Sequence, residues 1–134
     1  MVYRSDALLS RLRTIIATLL RRYRRPRQEP LERMRRCFSE HRVLYTQHAR
    51  QEMRLEEFGP IREQEVFEAV HQGEIIEHYD DDEPYPSVLV YGTTERNRPI
   101  HVVCAHAAED DRVIVITVYE PDPARWIAYR RRRT

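Results

Sequence analysis

Apolar residues recur at three- and four-residue steps along the first part of the chain, which is the spacing of one face of an α-helix. The pattern runs from Ser5, a suitable N-cap, to about Tyr23. Arg21 to Arg25 lie at its end, where positive charge suits the helix dipole. The sequence therefore predicts a first helix with an apolar stripe of Leu8, Leu9, Leu12, Ile15, Ile16, Leu19, Leu20 and Tyr23.

Three shorter helices are predicted next. Pro26 and Pro30 interrupt the first pattern, and a second helix begins near Pro30 because proline is tolerated in a first turn. Thr46 can cap a third helix over residues 47–58, before Gly59 and Pro60, and a fourth covers about residues 62–72. The residues expected to face inward are Leu31, Met34 and Phe38, then Ala49, Met53 and Leu55, and finally Val66, Ala69 and Val70.

Short β-branched segments dominate the second half of the chain and predict strands at residues 74–79, 87–92, 100–107 and 112–120. Residues 43–46 are extended or enter a strand. The polar connections are short enough for antiparallel hairpins, so the predicted fold class is α+β, with N-terminal helices packed on a three- to four-stranded antiparallel sheet. Pro121 and Pro123 end the last strand because proline cannot donate to a strand ladder, and Trp126 can then fold back over a sheet edge.

The net charge of +1 conceals a strong asymmetry along the chain. Residues 1–42 contain 12 arginines and 4 acidic residues, whereas residues 43–134 contain 11 arginines and 18 acidic residues. We divide the chain into a basic amphipathic helical arm (1–42), an α+β core domain (43–129) and an Arg-rich tail (130–134). The arm suggests a segment that binds an anionic partner. A solvated helix whose charge is offset by the body is the alternative.

The two cysteines, Cys37 and Cys104, are far apart and form no CxxC pair, which fits a reducing compartment and predicts a cytoplasmic location. The apolar run at residues 14–20 is too short to cross a bilayer and is flanked by arginines. We interpret it as part of a helix rather than as a signal peptide.

Several stretches together resemble the bacterial domain-of-unknown-function family 4258. They are YTQHARQEM (45–53), GEIIEHYDDDEPYPSVLVYG (73–92), RPIHVVCAH (98–106) and ITVYEPDPARW (116–126). The resemblance implies a fold like that of the RelE/ParE-like toxins of toxin–antitoxin pairs, many of which cut messenger RNA on the ribosome. This chain departs from the family pattern at Glu52 and at the turn EEFGP (56–60), so two expected arginines are missing unless Arg50 and Arg54 replace them.

RNA cleavage without a metal needs a base, an acid and a cation near the phosphate. His48 and His101 are the candidate acid–base pair, since imidazole titrates near neutral pH. The other candidates are Tyr85 and Tyr119 as catalytic donors, and Arg50, Arg54, Arg98 and Trp126 for substrate binding. Each of these side chains also has a structural alternative: a histidine bonded to a loop or to the acidic run 80–83, or a half-buried tyrosine with its hydroxyl satisfied.

The sequence predicts no metal site and no cofactor. Cys104 and His106 lie two residues apart on a strand, but zinc sites usually have two such pairs and only one is visible. The run DDDE (80–83) lacks the glycine and terminal glutamate of an EF-hand loop, and no Walker, GxGxxG or GxSxG motif occurs.

The leading hypothesis is therefore a toxin-like module of a toxin–antitoxin system, acting as a metal-independent ribonuclease with an antitoxin and RNA or the ribosome as partners. It depends on fold-level analogy. The alternative is a non-catalytic module whose basic arm binds a partner protein, nucleic acid or an anionic membrane surface, the membrane being least favoured. The oligomeric state stays open.

Overall fold

Five strands form one mixed sheet in the computed structural model, which describes residues 10–15 and 26–134. The strands are β1 (Val43–Tyr45), β2 (Glu74–Tyr79), β3 (Ser87–Thr93), β4 (Pro99–Ala107) and β5 (Arg112–Tyr119), in the order β1-β5-β4-β3-β2. All neighbours are antiparallel except β1, which runs parallel to β5 with Val43 opposite Val113. The α+β class is confirmed. The prediction of a three- to four-stranded antiparallel sheet is wrong, because a three-residue strand whose partner is about 70 residues away leaves no local signal.

Three helices cover one face of this sheet: α1 (Leu31–Ser39), α2 (Gln47–Leu55) and α3 (Glu63–His71). The side chain of Thr46 accepts the backbone N–H of Ala49 and caps α2, as predicted. The helix ends at Leu55 rather than at residue 58, because Glu56 leaves the helical conformation and Ile61 N–H bonds to the carbonyl of Met53. The predicted inward residues form the core, apart from Leu55, which is exposed; those buried on the helices are Leu31, Met34, Phe38, Ala49, Met53, Val66, Ala69 and Val70.

Gly92 allows α3 to lie very close to the sheet. A Cβ atom built at this position would meet the backbone oxygen of Ala69 at 1.8 Å and its Cα at 2.9 Å. No side chain fits there without moving the helix away from β3. This contact fixes the distance between the two layers.

The C-terminal segment covers part of the opposite face of the sheet. Strand β5 ends at Tyr119, one residue before its predicted end and before Pro121, and β6 (Trp126–Ile127) then pairs with β7 (Arg131–Arg132) in a small second sheet. Trp126 is buried, and the predicted Arg-rich tail contributes β7. We call residues 126–132 the C-terminal hairpin.

The predicted first helix, Ser5 to Tyr23, lies largely outside the described residues. Within it, residues 10–15 are helical and expose Leu12 and Ile15 to solvent by 48% and 54%. In the part of the chain that the structure describes, no helix combines the length and apolar character needed to cross a membrane.

Candidate functional site

His101 lies completely buried on the sheet face opposite the helices. Its neighbours Ile100 and Val102 pack in the helix-side core, so strand alternation directs the imidazole to the other face. Nε2 lies 2.6 Å from the carbonyl oxygen of Tyr129, and Nδ1 lies 3.1 Å from the hydroxyl of Tyr119. Because a carbonyl only accepts, Nε2 carries the proton and Nδ1 accepts from the tyrosine.

Burial decides the protonation states of this pair. It lowers the pKa of His101 to about 4, although the carbonyl of Tyr129 favours the charged ring. It raises the pKa of Tyr119 to about 12. Both groups are therefore neutral at pH 7, and each has its hydrogen-bonding atoms engaged.

Aromatic rings and arginines surround this pair. The ring of Trp126 meets His101 edge-on with centroids 4.5 Å apart, and Tyr91 lies 5.7 Å away on another side. The guanidinium of Arg132 sits 4.7 Å from the Trp126 ring centroid, and that of Arg130 sits 4.9 Å from the Tyr91 centroid. The C-terminal hairpin thus closes over His101 with arginine side chains outermost.

Arg132 is fixed by a carboxylate on β2. Its Nε and one terminal nitrogen donate to the two oxygens of Glu77 at 2.9 and 3.0 Å, and the hydroxyl of Tyr79 also donates to this carboxylate. Burial opposes ionisation of Glu77, but these hydrogen bonds outweigh it and lower its pKa. The charge of Arg132 is therefore largely compensated within the protein.

An open cleft of about 530 Å³ adjoins the buried pair. Tyr119 and Trp126 form its floor and Phe58 its rim, where 48% of the phenylalanine is exposed. Its charged lining residues are Arg125, Arg132, Arg133, Glu57, Glu120 and Asp122. Within the described ranges, neither Arg125 nor Arg133 has a carboxylate oxygen within 4 Å, and the Nε of Arg133 donates to the carbonyl oxygen of Pro123 at 2.9 Å. We call this space the Phe58 cleft.

Arg98 holds the loop that carries Phe58. Its guanidinium donates to Glu120 at 2.6 Å, to Glu65 at 3.1 Å, and to the carbonyl oxygens of Gly59 and Pro60. Gly59 adopts φ +112°, a conformation that favours glycine. Only 19% of the Arg98 side chain is exposed. The predicted phosphate-binding arginine is fully engaged inside the protein and positions the rim of the cleft.

His48 is on the other side of the sheet from His101. It lies in the first turn of α2, is 65% exposed, and its Nε2 is 3.2 Å from a carboxylate oxygen of Glu52. That carboxylate also accepts the backbone N–H of Val118 on β5. A second, smaller cleft beside His48 shares Glu57 with the Phe58 cleft. The structure therefore does not join the two imidazoles in one pocket.

The remaining candidates are spread over the surface. Arg50 pairs with Glu63 at 2.8 Å and lies over the ring of Tyr45, while Arg54 is exposed on α2. The hydroxyl of Tyr85 is 3.4 Å from Glu109, beyond the end of β3 that is remote from Tyr91 and His101. Of the predicted set, the structure brings together only His101, Tyr119 and Trp126.

Sequence reasoning missed Phe58, Arg125 and Arg133. The sequence predicts Phe58 as the last residue of the third helix, and the signal against this is the EEFGP turn, which replaces the turn usual in the family. Arg125 lies in the quoted motif PDPARW but matches no catalytic pattern, and Arg133 was counted in the tail. Their convergence depends on how the C-terminal segment folds back beside the loop at residues 56–60.

These features define an α+β domain with a mixed sheet, a buried histidine–tyrosine pair under a C-terminal hairpin, and an open cleft beside it. The chain belongs to the family described as a domain of unknown function (DUF4258), whose model matches residues 45–120. Comparison with curated proteins gave no match, and comparison with solved structures gave none either. The matched residues include His101 and Tyr119, whereas Arg125, Trp126 and the C-terminal hairpin follow them.

Proposed function

We propose that this protein is a toxin-like module of a bacterial toxin–antitoxin system, with a RelE/ParE-like fold, and that it binds single-stranded RNA in the Phe58 cleft. The observation that carries the proposal is the combination in one open cleft of an exposed aromatic ring with two arginines that lack carboxylate partners. Proteins that bind single strands combine stacking rings with cationic grooves in this way.

The roles in the cleft follow from exposure and charge. Phe58 offers a face on which a base can stack, and such stacking contributes about 1–3 kcal/mol per base. Arg125 and Arg133 contact phosphates, for which the guanidinium fork is well suited. Glu57 and Asp122 line the same cleft, have no arginine partner within 4 Å among the described residues, and oppose the strand by charge repulsion. Tyr119 supports the floor through its hydrogen bond to His101.

Cleavage of the strand, which is the ribonuclease part of the proposal, has to use groups that solvent reaches. His48 is such a group, and its exposed ring lies beside the carboxylate of Glu52. His101 has no free nitrogen and no solvent access, so its role is to position Tyr119.

Binding is measured by fluorescence anisotropy with a labelled single-stranded RNA of about 10 nucleotides at several salt concentrations. We expect Phe58→Ala to weaken binding about tenfold, from the value of one stacked base. Arg125→Gln should weaken it and reduce the salt slope by about one. The matched control is Arg96→Gln, an exposed arginine in the β3–β4 turn. Equal losses in all three variants, or no binding by the wild type, would refute the cleft as the RNA site.

A second candidate function is a non-catalytic module that binds a partner through its basic arm. The exposure of Leu12 and Ile15 on the described helical residues 10–15 favours it, since these side chains match the apolar stripe predicted for the arm. Deletion of residues 1–42 would be an unsuitable test, because Met34 and Cys37 of α1 belong to the core. The double substitution Leu12→Ser and Ile15→Ser tests the arm alone.

Growth arrest on expression separates the two candidates. If the Phe58 cleft carries the function, Phe58→Ala and Arg125→Gln relieve arrest and the Leu12/Ile15 double variant does not. The reverse pattern supports the arm. The direction of the change in affinity in Glu57→Gln distinguishes RNA from a basic peptide as the ligand. This substitution removes a negative charge from the cleft, so it should tighten RNA binding and would weaken binding of a basic peptide at the same place.

A further inference from the structure

Three metal-ligating side chains from separate parts of the chain meet at the end of the β4–β5 hairpin. They are Cys37 near the end of α1, His106 on β4 and Asp111 in the turn before β5. The Nε2 of His106 is 2.8 Å from Oδ1 of Asp111, and the Sγ of Cys37 is 3.5 Å from the same oxygen. All three ligand atoms lie within 4.8 Å of one another.

We propose that Cys37, His106 and Asp111 form a binding site for Zn²⁺. One thiolate, one imidazole and one carboxylate are the ligand types that zinc takes, and this mixture does not suit Mg²⁺ or Ca²⁺, which prefer oxygen alone. Three protein ligands with a fourth position left for water is the arrangement of open zinc sites.

Two of the three ligand separations are close to those around a tetrahedral ion, and the third, between Sγ of Cys37 and Nε2 of His106, lies within 4.8 Å and has to reach about 3.6 Å. Zinc–sulfur and zinc–nitrogen or –oxygen bonds of ordinary length place neighbouring ligand atoms about 3.3–3.6 Å apart. The sulfur–oxygen separation of 3.5 Å already has this value. The 2.8 Å hydrogen bond between His106 and Asp111 has to widen by about half an ångström, which is a side-chain adjustment.

The residues around the cluster include a partner for the Asp111 carboxylate and leave the site open to solvent. The guanidinium of Arg42 forms an ion pair with Oδ2 of Asp111 at 3.1 Å and another with Glu40, so it can hold the Asp111 carboxylate while Oδ1 binds the ion. Its Nε is buried without a hydrogen-bond partner among the described residues, which leaves a donor unmet beside the cluster. Cys37 is fully buried, whereas 39% of the Asp111 side chain is exposed and gives the ion a path from solvent.

Binding replaces hydrogen bonds by bonds to the metal. The thiol of Cys37 now donates to Asp111, and on binding it loses its proton to solvent and coordinates as thiolate. The Nε2–H of His106 now donates to the Asp111 carboxylate, so on binding the ring gives up this proton to solvent, carries its single proton on Nδ1 and coordinates through Nε2. The ion would then tie α1 to the β4–β5 hairpin. Since Cys37 lies outside residues 45–120, it would join the N-terminal part of the chain to the family domain.

The test uses the full chain, treated with chelator and titrated with Co²⁺ as a spectroscopic substitute for Zn²⁺. We expect one equivalent of Co²⁺ to produce the thiolate-to-cobalt charge-transfer band and the strong visible bands of a tetrahedral site, and Zn²⁺ to remove both. Cys37→Ser should abolish the charge-transfer band. His106→Gln and Asp111→Asn should weaken binding by more than the roughly 10- to 100-fold that loss of an outer-shell partner costs.

Cys104→Ala is the matched control, because it removes the other buried thiol and should leave the bands unchanged. His78→Gln is a second control that leaves the core intact. Saturating Zn²⁺ should also raise the Tm of the wild type by about 10 °C at 100 times the Kd, and should not raise that of Cys37→Ser. Absence of the charge-transfer band at millimolar Co²⁺, or its survival in Cys37→Ser, would overturn the proposal.

Discussion

Burial of His101 should make the fold sensitive to acid in a defined pH window. Its pKa is about 4 in the folded protein, against about 6.5 for an exposed imidazole in the unfolded chain. Between these values the unfolded state binds a proton that the folded state does not, so the free energy of unfolding falls as the pH falls. The loss begins near pH 6.5 and is complete below about pH 4.

The size of the effect follows from the two pKa values. Their difference corresponds to about 3 kcal/mol, which is a large part of the stability of a small domain. Desolvation is its main cause, and the hydrogen bond to Tyr129 and the charge of Glu77 offset part of it. The nearby charge of Arg132 acts in the same direction as burial.

The assay is urea unfolding at intervals from pH 4 to 8, with the wild type compared with His101→Gln. Glutamine can donate to Tyr129 and accept from Tyr119, and it does not titrate. Carboxylates titrate alike in both proteins, so the difference between the two curves reports His101. We expect this difference in the free energy of unfolding to change by about 3 kcal/mol across the window.

His41→Gln, at an exposed histidine in the loop after α1, is the matched control, because it removes an imidazole without touching the His101 cluster. A flat difference between wild type and His101→Gln would refute the buried, neutral state of His101. NMR titration of the His101 ring that shows a midpoint near 6.5 in the folded protein would refute it as well.

Two further substitutions test the fold around the site. Arg98→Met should lower the free energy of unfolding by about 3 kcal/mol, because Glu65 and Glu120 lose their common partner, and urea unfolding measures this loss. The same substitution should displace the loop that carries Phe58, and RNA binding checks this effect. Gly92→Ala should lower stability by about 3 kcal/mol or prevent folding, since its Cβ would collide with Ala69; a wild-type Tm would contradict the close contact of α3 with β3.

Local sequence patterns predicted most of the helices and strands, but few of the pairings between residues far apart in the chain. The stripe of Leu31, Met34 and Phe38 predicted α1 because helical spacing is visible within one turn. The parallel pairing of β1 with β5 depends on contacts across the whole domain. All three residues of β1 are apolar, so the sequence shows no alternation that would reveal the strand, although Leu44 is exposed. Sequence position alone could not assign that strand to the sheet.

In the candidate site, too, local features could be predicted from the sequence and long-range contacts could not. In the sequence His101 alternates with the apolar residues Ile100 and Val102, but its enclosure depends on the C-terminal hairpin, residues 126–132, which folds back over it. Arg98 is a candidate phosphate ligand in the sequence because the guanidinium group suits phosphate contacts. The structure directs it to two carboxylates and two carbonyls, and such convergence cannot be inferred from spacing.

The packing of the motif residues changes what a loss-of-function experiment can show. His101, Tyr119 and Trp126 are held by hydrogen bonds and ring contacts in a buried cluster, so their removal lowers stability before it affects any chemistry. Loss of growth arrest in His101→Ala would therefore be expected of a toxin of any mechanism. His48 and Phe58 are exposed, and their substitution leaves the core unchanged. Activity that depends on these two residues in folded variants would identify a functional surface, and the enclosed motif residues would then be its support.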